Sequence, residues 1–517
     1  MKDKEDILAL IKSLSKSEKR YFKLYVSKNS RSENSHYIKL FDLIEKAGTS
    51  EKKIIQKLYE DDNFIEKQFS VYKILLFKQI LKSLNSFHSE SSVEDQILES
   101  IRQTKILIDK GLFNYAQNIL AKAKSIALKH EKFTHILEIV RLEKKIINIY
   151  GIYNESKESD LIQLYEEEKS VVEKIGNENE YWKLNAQLYL YYRMNGHVRK
   201  QEDINKYHSI IETPILKNEK HAASYHAKSL YYSIYINYFN ALNNFKEAYV
   251  NNHKMIQLIE SHPFQIQNNS TIYYNGYYNL LVFSLELKKY AELFNLLPKI
   301  KSIYNEFPVT ISDTIRSFLL KNTYNIEFEA YYDTGQFDKA AEVLIEIEGL
   351  SKDQKNKFDL PELILAINKT RLHFANRSFH KALTSINYIL NEEINNLRED
   401  QFCYIRIFQL IIHYEIGNTD LLPYLVKSVY RYLLKKKYLF KIESIFIQVF
   451  RTKLFHINNK KEEIKVFKAL REELMIAFED PMEAKFREFF DIISWLEGKI
   501  GNRPFGEILR EKSGYIE

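Results

Sequence analysis

Cysteine, glycine, proline and tryptophan are all scarce in this 517-residue chain, which has 1 Cys, 13 Gly, 8 Pro and 2 Trp. One cysteine excludes a disulfide framework and a multi-cysteine zinc site, and Cys403 in FCYIRIFQLII reads as a small core residue. So few Gly and Pro argue against an all-β fold, which needs many turns. No run of about 18 apolar residues occurs, so no membrane-spanning helix is expected. The opening MKDKEDILALIKSLSKSEKR mixes acids with lysines and breaks its first apolar run at Lys12, unlike a signal peptide; the expected compartment is the cytoplasm. Gly-rich phosphate loops, GxGxxG, GxSxG and EF-hand loops are also missing. His130, Glu131 and His135 approximate HExxH. The two histidines are i, i+5, about 140° apart around a helix, and cannot chelate one ion from one face. The expectation is a protein without metal, cofactor or enzymatic activity.

What the chain does have is helical periodicity. Within 223–242, Leu230, Ile234, Tyr238 and Leu242 recur every four residues, and Tyr231, Tyr235 and Phe239 form a second row beside them, a wide apolar face on one helix. The 37 Tyr and 32 Phe are read as helix–helix core, partly enriched by AT-rich codons. Capping boxes are expected at Ser15 with Glu18, Ser91 with Glu94 and Ser351 with Gln354. Asp480, Pro481 and Glu483 read as another helix start. Pro298 and Pro423 fall inside a periodic segment or near its start.

The glycines mark turns. Gly111, Gly196, Gly335 and Gly417 each follow one helical segment and shortly precede another, where positive φ costs glycine least. An aromatic residue and, three positions later, a small one follow: Phe113 and Ala116, Phe245 and Ala248, Phe337 and Ala340, Phe379 and Ala382, with Tyr290 and Leu293 as a variant. Asn243 occupies the glycine slot before Phe245. The slots at 248, 293, 340 and 382 lie 45, 47 and 42 residues apart, an internal repeat of helix pairs that must stack to bury their apolar faces.

This pattern resembles the tetratricopeptide repeat family, best in EAYYDTGQFDKAAEVL, where Tyr331, Gly335, Phe337 and Ala340 fill the family's aromatic, glycine, aromatic and small positions. The period here is longer than the family's, and its Trp–Leu–Gly opening is missing. The stretches SLSKSEKRYFKLYV, YIKLFDLIEK and VYKILLFKQILKSL are similar to the leader of uncharacterised helical-repeat proteins of Bacteroidota. The resemblance implies an all-α fold, a right-handed α-solenoid over 96–500, after an N-terminal helical bundle over 1–88 and a polar linker at 89–95, with 501–517 as a tail. In the bundle, helices are expected at 4–13, 15–28, 35–47, 51–60 and 66–87. The family's groove lies along the first helix of each pair. Carried onto this sequence, it implies that Arg102, Lys105, Arg193, Asn237, Asn279, Asn325, Asn368 and Arg371 face a partner. Amides can both donate to and accept from a peptide backbone, and Arg and Lys can hold carboxylates. The expected function is a scaffold that binds a protein or peptide, with no membrane role.

Charge supplies the alternative. Residues 1–88 hold a net +6 and the remainder only +1. Lys16, Lys19, Arg20 and Lys23 form an i, i+3, i+4, i+7 stripe. The second expectation is therefore a regulator that binds DNA through this block, although duplex binding usually neutralises about 6–10 phosphates.

Overall fold

The computed structural model of the protein describes residues 6–28, 34–47, 69–88, 92–150, 158–195, 198, 201–268, 270–306, 313–352, 360–391, 399–454, 457, 459–480, 483, 486 and 490–515. Among these the regular elements are all helical, without a strand, and helices adjacent in sequence pack side by side. The fold is all-α and solenoid-like. Two compact units form, Met1–Gly176 and Asn177–Glu517.

In the first unit, α1 (Asp6–Ser13), α2 (Lys16–Lys28), α3 (Asn34–Ala47) and α4 (Phe69–Phe87) enclose a core in which Ile11, Phe22, Leu40, Phe41, Leu76 and Ile80 are wholly buried. The α2 capping box forms as expected. Glu18 N donates to Ser15 Oγ at 3.2 Å, and Ser15 N donates to Glu18 Oε2 at 2.7 Å. The helix expected at 51–60 lies outside the described residues. A separate core around Ile97, Ala116, Leu120 and Ile136 is built by α5 (Val93–Asp109), α6 (Phe113–Lys129), α7 (Phe133–Tyr150) and the first half of α8 (Glu158–Asn195). The cap of α5 is Ser92, one residue later than expected, with its Oγ accepting from Asp95 N at 3.0 Å. Residues 92–95, expected as linker, are therefore the cap and first turn of a helix. Ser351 lies inside a helix end, and Gln354 outside the described residues.

The second unit continues with α9 (Gln201–Ile211), α10 (Tyr225–Ala241), α11 (Phe245–Glu260), α12 (Pro263–Asn268), α13 (Ser270–Glu286), α14 (Tyr290–Asn305), α15 (Asp313–Asp333), α16 (Phe337–Lys352), α17 (Leu360–Ala375), α18 (Phe379–Asn391), α19 (Glu399–Ile416), α20 (Leu422–Lys436), α21 (Lys441–Thr452), α22 (Lys460–Ala477), α23 (Ile492–Gly501) and α24 (Phe505–Ser513). The first helices α13, α15 and α17 also pack in series on one another. Pro298 sits inside α14 and Pro423 in the first turn of α20.

One turn design recurs. Gly111, Asn243, Lys288, Gly335 and Arg377 all have positive φ, and so does Glu131. After each, the next N–H reaches the carbonyl five residues back, as in Leu112 to Leu107 at 2.9 Å and Gln336 to Tyr331 at 2.8 Å. This closure satisfies carbonyls that the helix end would otherwise orphan. The aromatic two residues on opens the next helix, and Ala116, Ala248, Ala340 and Ala382 are fully buried where the helices meet. Glu131, Lys288 and Arg377 adopt the left-handed backbone despite a Cβ, at about 1–2 kcal/mol each, offset by the closing hydrogen bonds.

The chain's last helix corrects the expectation of a tail at 501–517. α24 packs against α15 and the turn that follows it. Arg510 Nη2 donates to Gly335 O at 3.0 Å. Phe505 lies 5.5 Å from Phe490 and 6.4 Å from Tyr332. Ile508 and Leu509 are buried, so a short apolar face suffices to fix the segment. Upstream, Pro481 of the expected helix start lies outside the described residues, and the buried Glu483 carboxylate caps α21, accepting from Lys441 N at 3.1 Å and Ile442 N at 3.3 Å.

Candidate functional site

In the second unit several of the positions named from the sequence pair with a residue of another helix. Asn237 on α10 donates to Asn185 on α8 at 3.1 Å. Asn368 on α17 donates to Asn325 on α15 at 3.5 Å. Arg371 on α17 donates through Nη1 to Glu329 on α15 at 2.5 Å. Helical spacing puts these side chains on the facing sides of packed helices, and each amide or ion finds its partner there. Asn279 on α13 is half-buried, and Arg193 near the end of α8 is exposed.

Two register positions depart from the expectation that they face a partner. Asn368 is 1% and Arg371 4% exposed; both find their partners on α15, and the C-terminal segment packs on the next turn of the same helix. Phe374 on α17 lies 5.1 Å from Phe490 and 6.2 Å from Phe505. The Arg371 guanidinium stands 4.4 Å from the centre of the Tyr332 ring, a cation–π contact. Burial works against its charge, but Glu329, Tyr332 and Asp333 outweigh burial and hold its pKa above the usual value. Asp333 behaves oppositely. Burial and then the Glu329 charge push its carboxyl up to about 7, Asp491 adding to the effect and Arg371 opposing it. Tyr290 Oη lies 3.5 Å from Asp333 Oδ2. The cluster ties α14, α15 and α17 together. Perturbed acids mark active sites and structural ion networks alike; the aromatic packing over this one favours the network.

In the first unit, Arg102 and Lys105 are exposed on α5, and Lys105 Nζ lies 2.6 Å from Glu138. Lys16, Lys19, Arg20 and Lys23 line one shallow depression with Leu24, Ser27 and Glu45. Lys19 pairs with Glu45 at 2.8 Å and Lys23 with Asp42 at 2.7 Å, whereas Lys16 and Arg20 are exposed. Among the described residues no three His, Cys, Asp or Glu side chains are placed to hold a metal ion, and no helix is long and apolar enough to cross a membrane. His130 and Glu131 form the turn into α7, and Phe133 behind them was the available signal for it. No protein-family model matches the chain, and no curated protein matches it.

Proposed function

We propose that this chain is a non-enzymatic scaffold that binds a protein or peptide along the first-helix row of its second unit. The carrying observation is that row. Half-buried Asn185 and Asn237 set paired amides at one joint between helices, with half-buried Asn279 on α13 beyond them, and amides can both donate to and accept from an extended backbone. The stretch formed by Arg193, Asn237 and Asn279 lies ahead of the part covered by the C-terminal segment. Affinity in such a face comes from a few anchors rather than from area. The recurrence of positive-φ turn, aromatic and small residue supports a tetratricopeptide-like ancestry for the pairs, and a cytoplasmic location belongs to the same proposal.

The DNA-binding reading loses support from the pairing of Lys19 and Lys23 with acids of α3.

Capture of partners from the native host tests the scaffold reading. Arg193→Glu combined with Asn279→Lys is expected to reduce capture by the full chain at least about tenfold, the scale of a lost charged contact. Undiminished capture contradicts the assignment of this face.

A further inference from the structure

The N-terminal bundle carries a second surface. α4 buries Phe69, Tyr72, Leu76, Ile80 and Ser83 on its inner side. On the other side Val71, Ile74, Leu75 and Leu81 are 54%, 48%, 37% and 45% exposed, with Lys78 and Lys82 exposed among them. Their spacing is i, i+3, i+4, i+7, i+10 and i+11, the seam through which one helix grips another. A surface helix of a small bundle ordinarily places polar residues there. None of the described residues covers this seam.

Charge selects the occupant. α4 contains Lys73, Lys78 and Lys82 and no acidic residue. A second copy docking by the same seam would set Lys78 and Lys82 against their own kind, which is unfavourable in paired helices. A duplex offers nothing for four exposed aliphatic side chains to bury against. A membrane-lying helix uses a broad apolar face with aromatic anchors; this seam is narrow and wholly aliphatic. We propose that α4 docks an acidic amphipathic helix of a partner protein. The partner's aliphatic side chains would interleave with Val71, Ile74, Leu75 and Leu81, and its carboxylates would meet Lys78 and Lys82. This surface is independent of the polar row in the second unit.

The test uses the full chain and a labelled synthetic helical peptide with Leu at the heptad a and d positions and Glu elsewhere, followed by fluorescence anisotropy. The acidic peptide is expected to bind saturably. Its counterpart with Lys in place of Glu should bind at least about tenfold more weakly. Lys78→Glu with Lys82→Glu should reverse that preference, and Ile74→Ser should weaken the acidic peptide without altering the circular dichroism spectrum. These positions are exposed, so the fold should tolerate both changes; Leu81→Ser replaces any variant whose spectrum shifts. Absence of peptide binding, or equal binding of the two peptides, overturns the proposal. So does binding to phosphatidylserine vesicles or duplex DNA that the acidic peptide does not compete away.

Discussion

Arg371 Nη1 lies 2.5 Å from Glu329 Oε1, a contact that joins α17 to α15 across one repeat. Arg371 is buried and Glu329 only partly so. Removing one member of such a pair leaves the other charge poorly solvated. Arg371→Met is therefore expected to destabilise the second unit by about 3 kcal/mol, read as a shift in urea unfolding. Adding Glu329→Leu should recover much of that loss, because the double change removes the stranded carboxylate as well.

The Asp333 carboxyl gives the same region a pH dependence. The unfolded chain ionises it near pH 4, as a rough reference value, while the folded protein keeps the proton until about 7. Folding thus takes up a proton between these values. The stabilisation is complete below the unfolded value and is lost as the pH rises through 7. Asp333→Asn should remove this component. Thermal unfolding should show the variant gaining on the native protein from about pH 5 to about pH 8, and a parallel offset at both values would count against the assignment.

Two turn glycines separate backbone strain from close packing. Gly111 has φ +72° with nothing within 4 Å of an added Cβ. At Gly335, φ is +70° and the Cβ would lie 2.7 Å from Gly506 O. Gly111→Ala should cost about 1–2 kcal/mol, the left-handed penalty alone. Gly335→Ala should cost more and release α24, visible as proteolytic cleavage near residue 504. Equal costs would show that α24 does not press on this turn.

Much of the fold is legible locally. Gly335, Phe337 and Ala340 announce a turn, its lid and a close helix crossing, and the structure builds all three. Glu131 announces nothing, because an acidic side chain carries no preference for positive φ; only Phe133 two residues later betrays the turn. The α5 cap moves from Ser91 to Ser92 because adjacent serines, each followed three residues later by an acid, offer the same chemistry. Phe490 and Phe505, more than about 100 residues away, pack on Phe374 of the helix that carries the buried Asn368 and Arg371, and such non-local packing leaves no mark on the local period. For the same reason the register of a repeat names a face without saying which part of it the chain itself covers.

The binding face is tested most directly by photo-crosslinking in the native host. A benzophenone amino acid replaces Asn279 on the proposed face or, as a control, Ile345 on α16, which is 69% exposed. The account predicts a discrete protein adduct from position 279 and none from position 345. Adducts that favour position 345, or the same products from both, would contradict it.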